Sequence, residues 1–332
     1  MRRVLLLFIS VCFFIIGCSD NVDIGLVANQ LQAAQAESAV QSTLPEDVIA
    51  AMKYEADTQR KWIKNTLESP HTAKFRWDQR ALLIKNGITT DFDPLKVYLK
   101  YYTKSIDAGG IAIVGPDRVE DKYFHWARDA VRIMTSKHPE LREGLLSKHQ
   151  RFYMVIVDQS TEFFNLPENQ TNSLVLDESL PREQAYRAGG CDAHWGTHIP
   201  SGMCWSIMNP RVFIHEFAHA LEFQIWHLRP GFRERLKKIY EEQLAEIGEE
   251  RASQVHIMTN THEHWANGVE WWFSGKGWPE KLYREYPLLA ELIEEWFPKV
   301  TYTETGESVT IPEQGYHEWM TTSVSWKVIE EE

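Results

Sequence analysis

His215, Glu216 and His219 stand together in the segment RVFIHEFAHALEFQ, Arg211 to Gln224. If that segment is a helix, each residue advances about 100°, so His215 and His219 share one face, about 40° and one turn apart. Two imidazoles at that spacing can hold one metal ion. Glu216 falls about 100° round from His215, poorly aimed to be a ligand but within reach of a water on the metal. That is the geometry of His-Glu-x-x-His, two zinc ligands and a general base. Zinc lowers the pKa of its water toward about 7 and polarises a carbonyl, while the glutamate takes the proton and later returns it. Phe213, Ile214, Phe217, Ala218 and Leu221 make the segment apolar nearly all round, the pattern of a buried helix. Two imidazoles and a carboxylate are costly there unless something compensates them, and a metal does so. The competing reading is a buried helix whose histidines are satisfied by hydrogen bonds.

A catalytic zinc takes a third protein ligand and keeps one position open. In one extended form of the motif a Gly and a third His follow, but those places hold Glu222 and Ile225. Glu222 returns to within about 20° of His215 but two turns away, and reads as a group behind the ligands or as half of a core ion pair. The third ligand must then come from a later helix. HIMTNTHEHWANGVEWWFSG, His256 to Gly275, has helical patterning from about His262, with Asn260 or Thr261 able to cap it. Glu263 and Glu270, seven residues apart, can project from one face, and geometry alone does not choose between them. His262 and His264 point about 100° to either side of Glu263 and read as surface or supporting residues.

IHEFAHALE followed by NTHEHWANGVEWWF resembles the gluzincin metallopeptidases related to the catalytic domain of anthrax toxin lethal factor. The likeness spans roughly Gly109 to Phe273. It implies an α+β, zincin-like catalytic domain that is mostly helical, with a small β-sheet. One helix would carry the His-Glu-x-x-His residues and a second the Glu ligand. It further implies one zinc on His215, His219 and Glu263, Glu216 as base, and a peptide or protein substrate cleaved at a peptide or amide bond. The family tyrosine assigned to the oxyanion is His256 here, which can donate the same hydrogen bond with greater sensitivity to pH. Where the family usually has a further Glu, this chain has Asn267, which can still support a ligand His from behind but carries no charge. These two departures keep an alternative open: a zinc-binding envelope protein without peptidase activity, binding a glycan or a partner protein.

Other elements must hold these residues in place. GGIAIVGP, Gly109 to Pro116, and RFYMVIVD, Arg151 to Asp158, read as strands bounded by breakers, with a helical stretch between them. Glu162 to Asn209 is rich in turn formers and reads mostly as loop; helices return from Pro210. Residues 44–105 read as a helical N-terminal region, and 106–332 as the zincin-like domain.

At the start, Arg2 and Arg3 precede about fourteen apolar residues and Cys18, too short a stretch for a spanning helix of about twenty. The ending IIGC resembles the bacterial lipobox. That resemblance implies a signal peptide over 1–17, acylation of Cys18 and a tether over 18–43. It places the protein on the bacterial cell envelope through an N-terminal lipid anchor, on the outer membrane if the cell has one, its domain facing periplasm or exterior. Cys191 and Cys204 then remain, and an exported chain favours a disulfide between them. The rival is a structural zinc site built from Cys191, His194, His198 and Cys204. A net charge of -12 without a long Lys/Arg cluster argues against nucleic acid as a partner.

Overall fold

A five-stranded sheet carries the front half of the protein, and its helices cover both faces. The computed structural model describes residues 39–68, 80–81, 83–84, 87–117, 119–148, 151–157, 189–191, 201–207, 210–275, 277–305 and 323–328. The segments expected to be a signal peptide and, nearly all of it, a tether, together with Cys18, His194 and His198, lie outside them. The chain is mostly helical, an α+β arrangement. Helices α1 (Glu46–Glu68) and α2 (Pro94–Tyr101) lead into β1 (Lys104–Asp107) and β2 (Ala112–Gly115). Next come α3 (Asp121–Met134), α4 (Pro139–Lys148), β3 (Arg151–Val157), β4 (Gly189–Cys191) and β5 (Ser201–Ile207). The second half runs through α5 (Pro210–Leu228), α6 (Phe232–Ile247), a short α7 (Glu249–Ala252), a 3-10 turn (His256–Met258), α8 (Thr261–Phe273), α9 (Trp278–Glu285) and α10 (Pro287–Trp296). A separate two-stranded sheet joins β6 (Val300–Thr305) to β7 (Ser323–Val328). Among the described residues no helix is long and apolar enough to cross a membrane.

The strand order is β1-β2-β3-β5-β4. β2, β3 and β5 run parallel, and the two edges, β1 and β4, are antiparallel to their neighbours. Successive side chains of a strand face opposite ways, and β2 uses both. Ile113 enters the larger core with Phe124, Val131, Phe213 and Phe217. Ala112 and Val114 enter a second core with Val48, Met52 and Tyr98 from α1 and α2. A strand covered on both faces explains its unbroken apolar run.

Two features differ from the sequence reading. The 162–209 stretch holds β4 and β5; in β5 the alternation Met203, Trp205, Ile207 is a period-2 signal that flanking Gly and Ser residues obscure. The division near residue 105 falls within β1, whose Ser105 exchanges backbone hydrogen bonds of 2.8 and 2.9 Å with Gln41. Residues Val40–Glu332 form one compact unit.

α5 and α8 pack directly on each other. Trp265 of α8 is fully buried and its indole N–H donates to the Ala218 carbonyl of α5 at 3.0 Å. On the other side of α8, Gly268 allows α10 to approach: a Cβ there would stand 2.6 Å from Leu289 Cδ2 and 2.7 Å from Ile293 Cδ1. Asn260 starts α8, its side-chain oxygen accepting the Glu263 N–H at 2.9 Å, a bond that also fixes the backbone beneath the Glu263 side chain.

Candidate metal centre

Arg211, His215 and His219 form a stripe at four-residue spacing on α5, and Glu263 of α8 faces it. His215 and His219 are each 8% exposed, and the Glu263 side chain 22%. His215 Nε2 lies 3.2 Å from His219 Nε2 and 3.0 Å from Glu263 Oε2; His219 Nε2 lies 3.7 Å from Glu263 Oε1. A tetrahedral ion with bonds of about 2.0–2.1 Å separates its ligand atoms by about 3.3 Å, so these edges match such a cage. Glu263 Oε2 is buried and has no donor aligned on it as a hydrogen bond. The three side chains thus bring their ligand atoms face to face across a small gap between α5 and α8. This His215–His219–Glu263 group can hold a metal ion.

The electrostatics agree. Burial opposes charge on His215, but the Glu263 and Glu270 carboxylates outweigh it and hold its pKa above the usual imidazole value. Burial pushes the Glu263 carboxyl up, while its close contact with His215 and the charge of that imidazole pull it well below its usual range. A buried site that stabilises one shared positive charge this strongly also favours a cation in the proton's place. Glu216 is 7% exposed, and burial is the main reason its pKa rises to about 7, with the Glu263 and Glu270 charges adding to the rise and His215 opposing it.

Glu270 does not join the ligand group. Its Oε2 lies 3.4 Å from His215 Nδ1, the nitrogen turned away from the convergence point. Its Oε1 accepts from Arg211 at 2.6 Å and 2.5 Å, and the Arg211 guanidinium lies 4.1 Å from the centre of the Trp278 ring. Sequence reasoning weighed Glu270 only as a rival ligand and missed Arg211. The available signal was that Arg211 stands one turn before His215 on the same stripe.

Asn267, expected behind one of the two imidazoles of α5, is in contact with other groups among the described residues. Its amide reaches the Glu263 carbonyl at 2.9 Å and His256 Nδ1 at 2.9 Å. An acid at residue 270, three residues further along α8, takes the place behind His215. His256 begins the 3-10 turn, its side chain 65% exposed, its ring centre 5.8 Å from that of His215 and its Nδ1 3.5 Å from Glu263 Oε2. Glu222 pairs with His262 Nδ1 at 2.9 and 3.0 Å, the core ion-pair alternative, and ties α5 to the first turn of α8. His264 is not a surface residue. It is fully buried, and its Nδ1 bonds the Ile257 carbonyl at 3.0 Å between the Tyr240 and Tyr286 rings. Cys191 and Cys204 are register partners on the antiparallel β4–β5 pair.

No protein-family model, curated protein or solved structure matches the chain.

Proposed function

We propose that the protein is an exported, lipid-anchored, zinc-dependent hydrolase of peptide or amide bonds with a zincin-like catalytic domain. The observation that carries this reading is the convergence of two imidazole nitrogens and one carboxylate on a point next to a second, buried carboxylate, Glu216. Two nitrogens and one oxygen in a tetrahedral spacing suit zinc. A zinc ion held there supplies an acidified water and a polarised carbonyl.

Glu216 is the general base. Its carboxylate takes the proton of the attacking water and passes it to the leaving nitrogen. A pKa lifted to about 7 by burial suits both halves of that task, since the group gives up and accepts a proton with similar ease. His256 stands exposed at the edge of the centre, where its ring can donate to a substrate oxygen as charge builds on it. The peptide character of the substrate draws support from β4, which among the described residues is an edge strand beside α5. An extended chain can add to such an edge through main-chain hydrogen bonds.

Turnover of an unfolded protein substrate by purified wild type and Glu216→Gln tests the proposal. Wild type cleaves, and the variant keeps its zinc but loses at least about a hundredfold in kcat, the scale of a lost general base. Zinc binding with no turnover of any substrate by wild type would reject the hydrolase in favour of a zinc-binding envelope protein.

A further inference from the structure

Asn267 and His256 lie on different elements, α8 and the 3-10 turn, and their side chains touch. Asn267 is 8% exposed, and its amide nitrogen has two neighbours, the Glu263 carbonyl and His256 Nδ1, each at 2.9 Å. A carbonyl only accepts, so the group facing it is the NH2 and not the amide oxygen. The NH2 only donates, and its second hydrogen points to His256 Nδ1. That nitrogen must therefore present a lone pair, and in a neutral ring the proton sits on Nε2. Glu263 Oε2, 3.5 Å from the same Nδ1, would favour a proton there, but the distance is longer and that oxygen faces His215 at 3.0 Å. Among the described residues no protein group bonds His256 Nε2.

We infer that Asn267 is a positioning residue that fixes His256 as the Nε2–H tautomer and so presents a hydrogen-bond donor at the open edge of the metal centre. The inference rests on the proposed hydrolase for its consequence but not for its structure. In catalysis the Nε2–H donates to the substrate carbonyl oxygen when water adds to the carbon, and no proton leaves the ring. A carboxylate at position 267 has no hydrogen to give, so it loses the bond to the Glu263 carbonyl and can face His256 only by accepting from Nδ1–H, which leaves Nε2 as a lone pair.

The test is 15N NMR of the zinc-loaded protein in mildly alkaline buffer, with steady-state kinetics beside it. His256 in wild type should carry its proton on Nε2. Asn267→Leu should lose that preference, and the near-isosteric Asn267→Asp should move the proton to Nδ1. Both should lower kcat about tenfold, in the range of lost supporting hydrogen bonds, with KM unchanged. Neither should lower it further in a His256→Ala background, because the two residues act as one unit. A wild-type proton on Nδ1, or an Asn267→Leu loss of equal size with His256 absent, would overturn the inference. Zinc content and melting temperature of each variant separate these results from misfolding, and Asn267→Asp stands in if Asn267→Leu does not fold. If wild type has no turnover the hydrolase reading fails, while the tautomer measurement still decides this one.

Discussion

Glu270 stands behind His215, its Oε2 3.4 Å from Nδ1, while Arg211 grips the other carboxylate oxygen. A carboxylate on the far nitrogen of a ligand imidazole fixes the ring and makes the near nitrogen a better donor to metal. Glu270→Gln keeps the shape and removes the charge. It should weaken zinc binding about 10–100-fold, read by competition with a chromophoric chelator. Unchanged affinity would mean that the contact is only packing.

The acid side of the activity profile follows from Glu216. A base works only when ionised, so activity is present above its pKa and lost as pH falls through it. Burial places that pKa at about 7, and a bound cation nearby draws it lower. The account predicts that kcat/KM falls on acidification, with an apparent pKa at or below about 7. An acid limb absent between pH 8 and 5 would remove Glu216 from the role of base.

His264 should make the fold sensitive to acid. Burial lowers its pKa to about 4, against the opposing effect of its bond to the Ile257 carbonyl, from an ordinary 6.5. The unfolded chain therefore takes up a proton at higher pH than the folded one. The sign is fixed: stability is full above pH 6.5 and lost as pH falls toward 4. The shift corresponds to about 3 kcal/mol. His264→Leu should be less stable than wild type at pH 8, since the Ile257 carbonyl loses its donor, by about 1 kcal/mol. Its stability should then fall less between pH 7 and 4.5. Parallel denaturant curves for the two proteins across that range would contradict the assignment.

Cys191 and Cys204 sit opposite each other across an antiparallel pair. Such partners have Cα atoms about 4.5–5.5 Å apart, inside the span that a disulfide bridges. Oxidised protein should be lighter by two hydrogens than its reduced form, and the peptides holding both cysteines should stay joined until reduction. The cross-link should add about 3 kcal/mol to stability. Zinc bound to a reduced Cys191–Cys204 pair would support the rival structural site instead.

Much of the site could be read in the chain because local rules set it. The apolar surround of His215 and His219 demands a buried helix, and Asn260 caps α8 as its residue type suggests. What could not be read depends on how elements slide past each other. Glu263 and Glu270 share a face of α8, and only the offset of α8 along α5 decides which meets Nε2 of His215 and which meets Nδ1. His264 is buried because Ile257, Tyr240 and Tyr286 close over it from three separate stretches of the chain, and no spacing along the sequence announces that. The edge strands β1 and β4 are too short, at 4 and 3 residues, to leave a periodic signal.

On the proposed reading His215, His219 and Glu263 hold one zinc ion between α5 and α8. The most direct test is zinc titration of the metal-stripped full chain, followed by calorimetry, beside His219→Ala and Glu263→Gln. Wild type should bind one tight zinc per chain, and each variant should lose at least about a hundredfold in affinity. Wild-type chain that takes up no zinc, or variants that bind it as tightly as wild type, would contradict it.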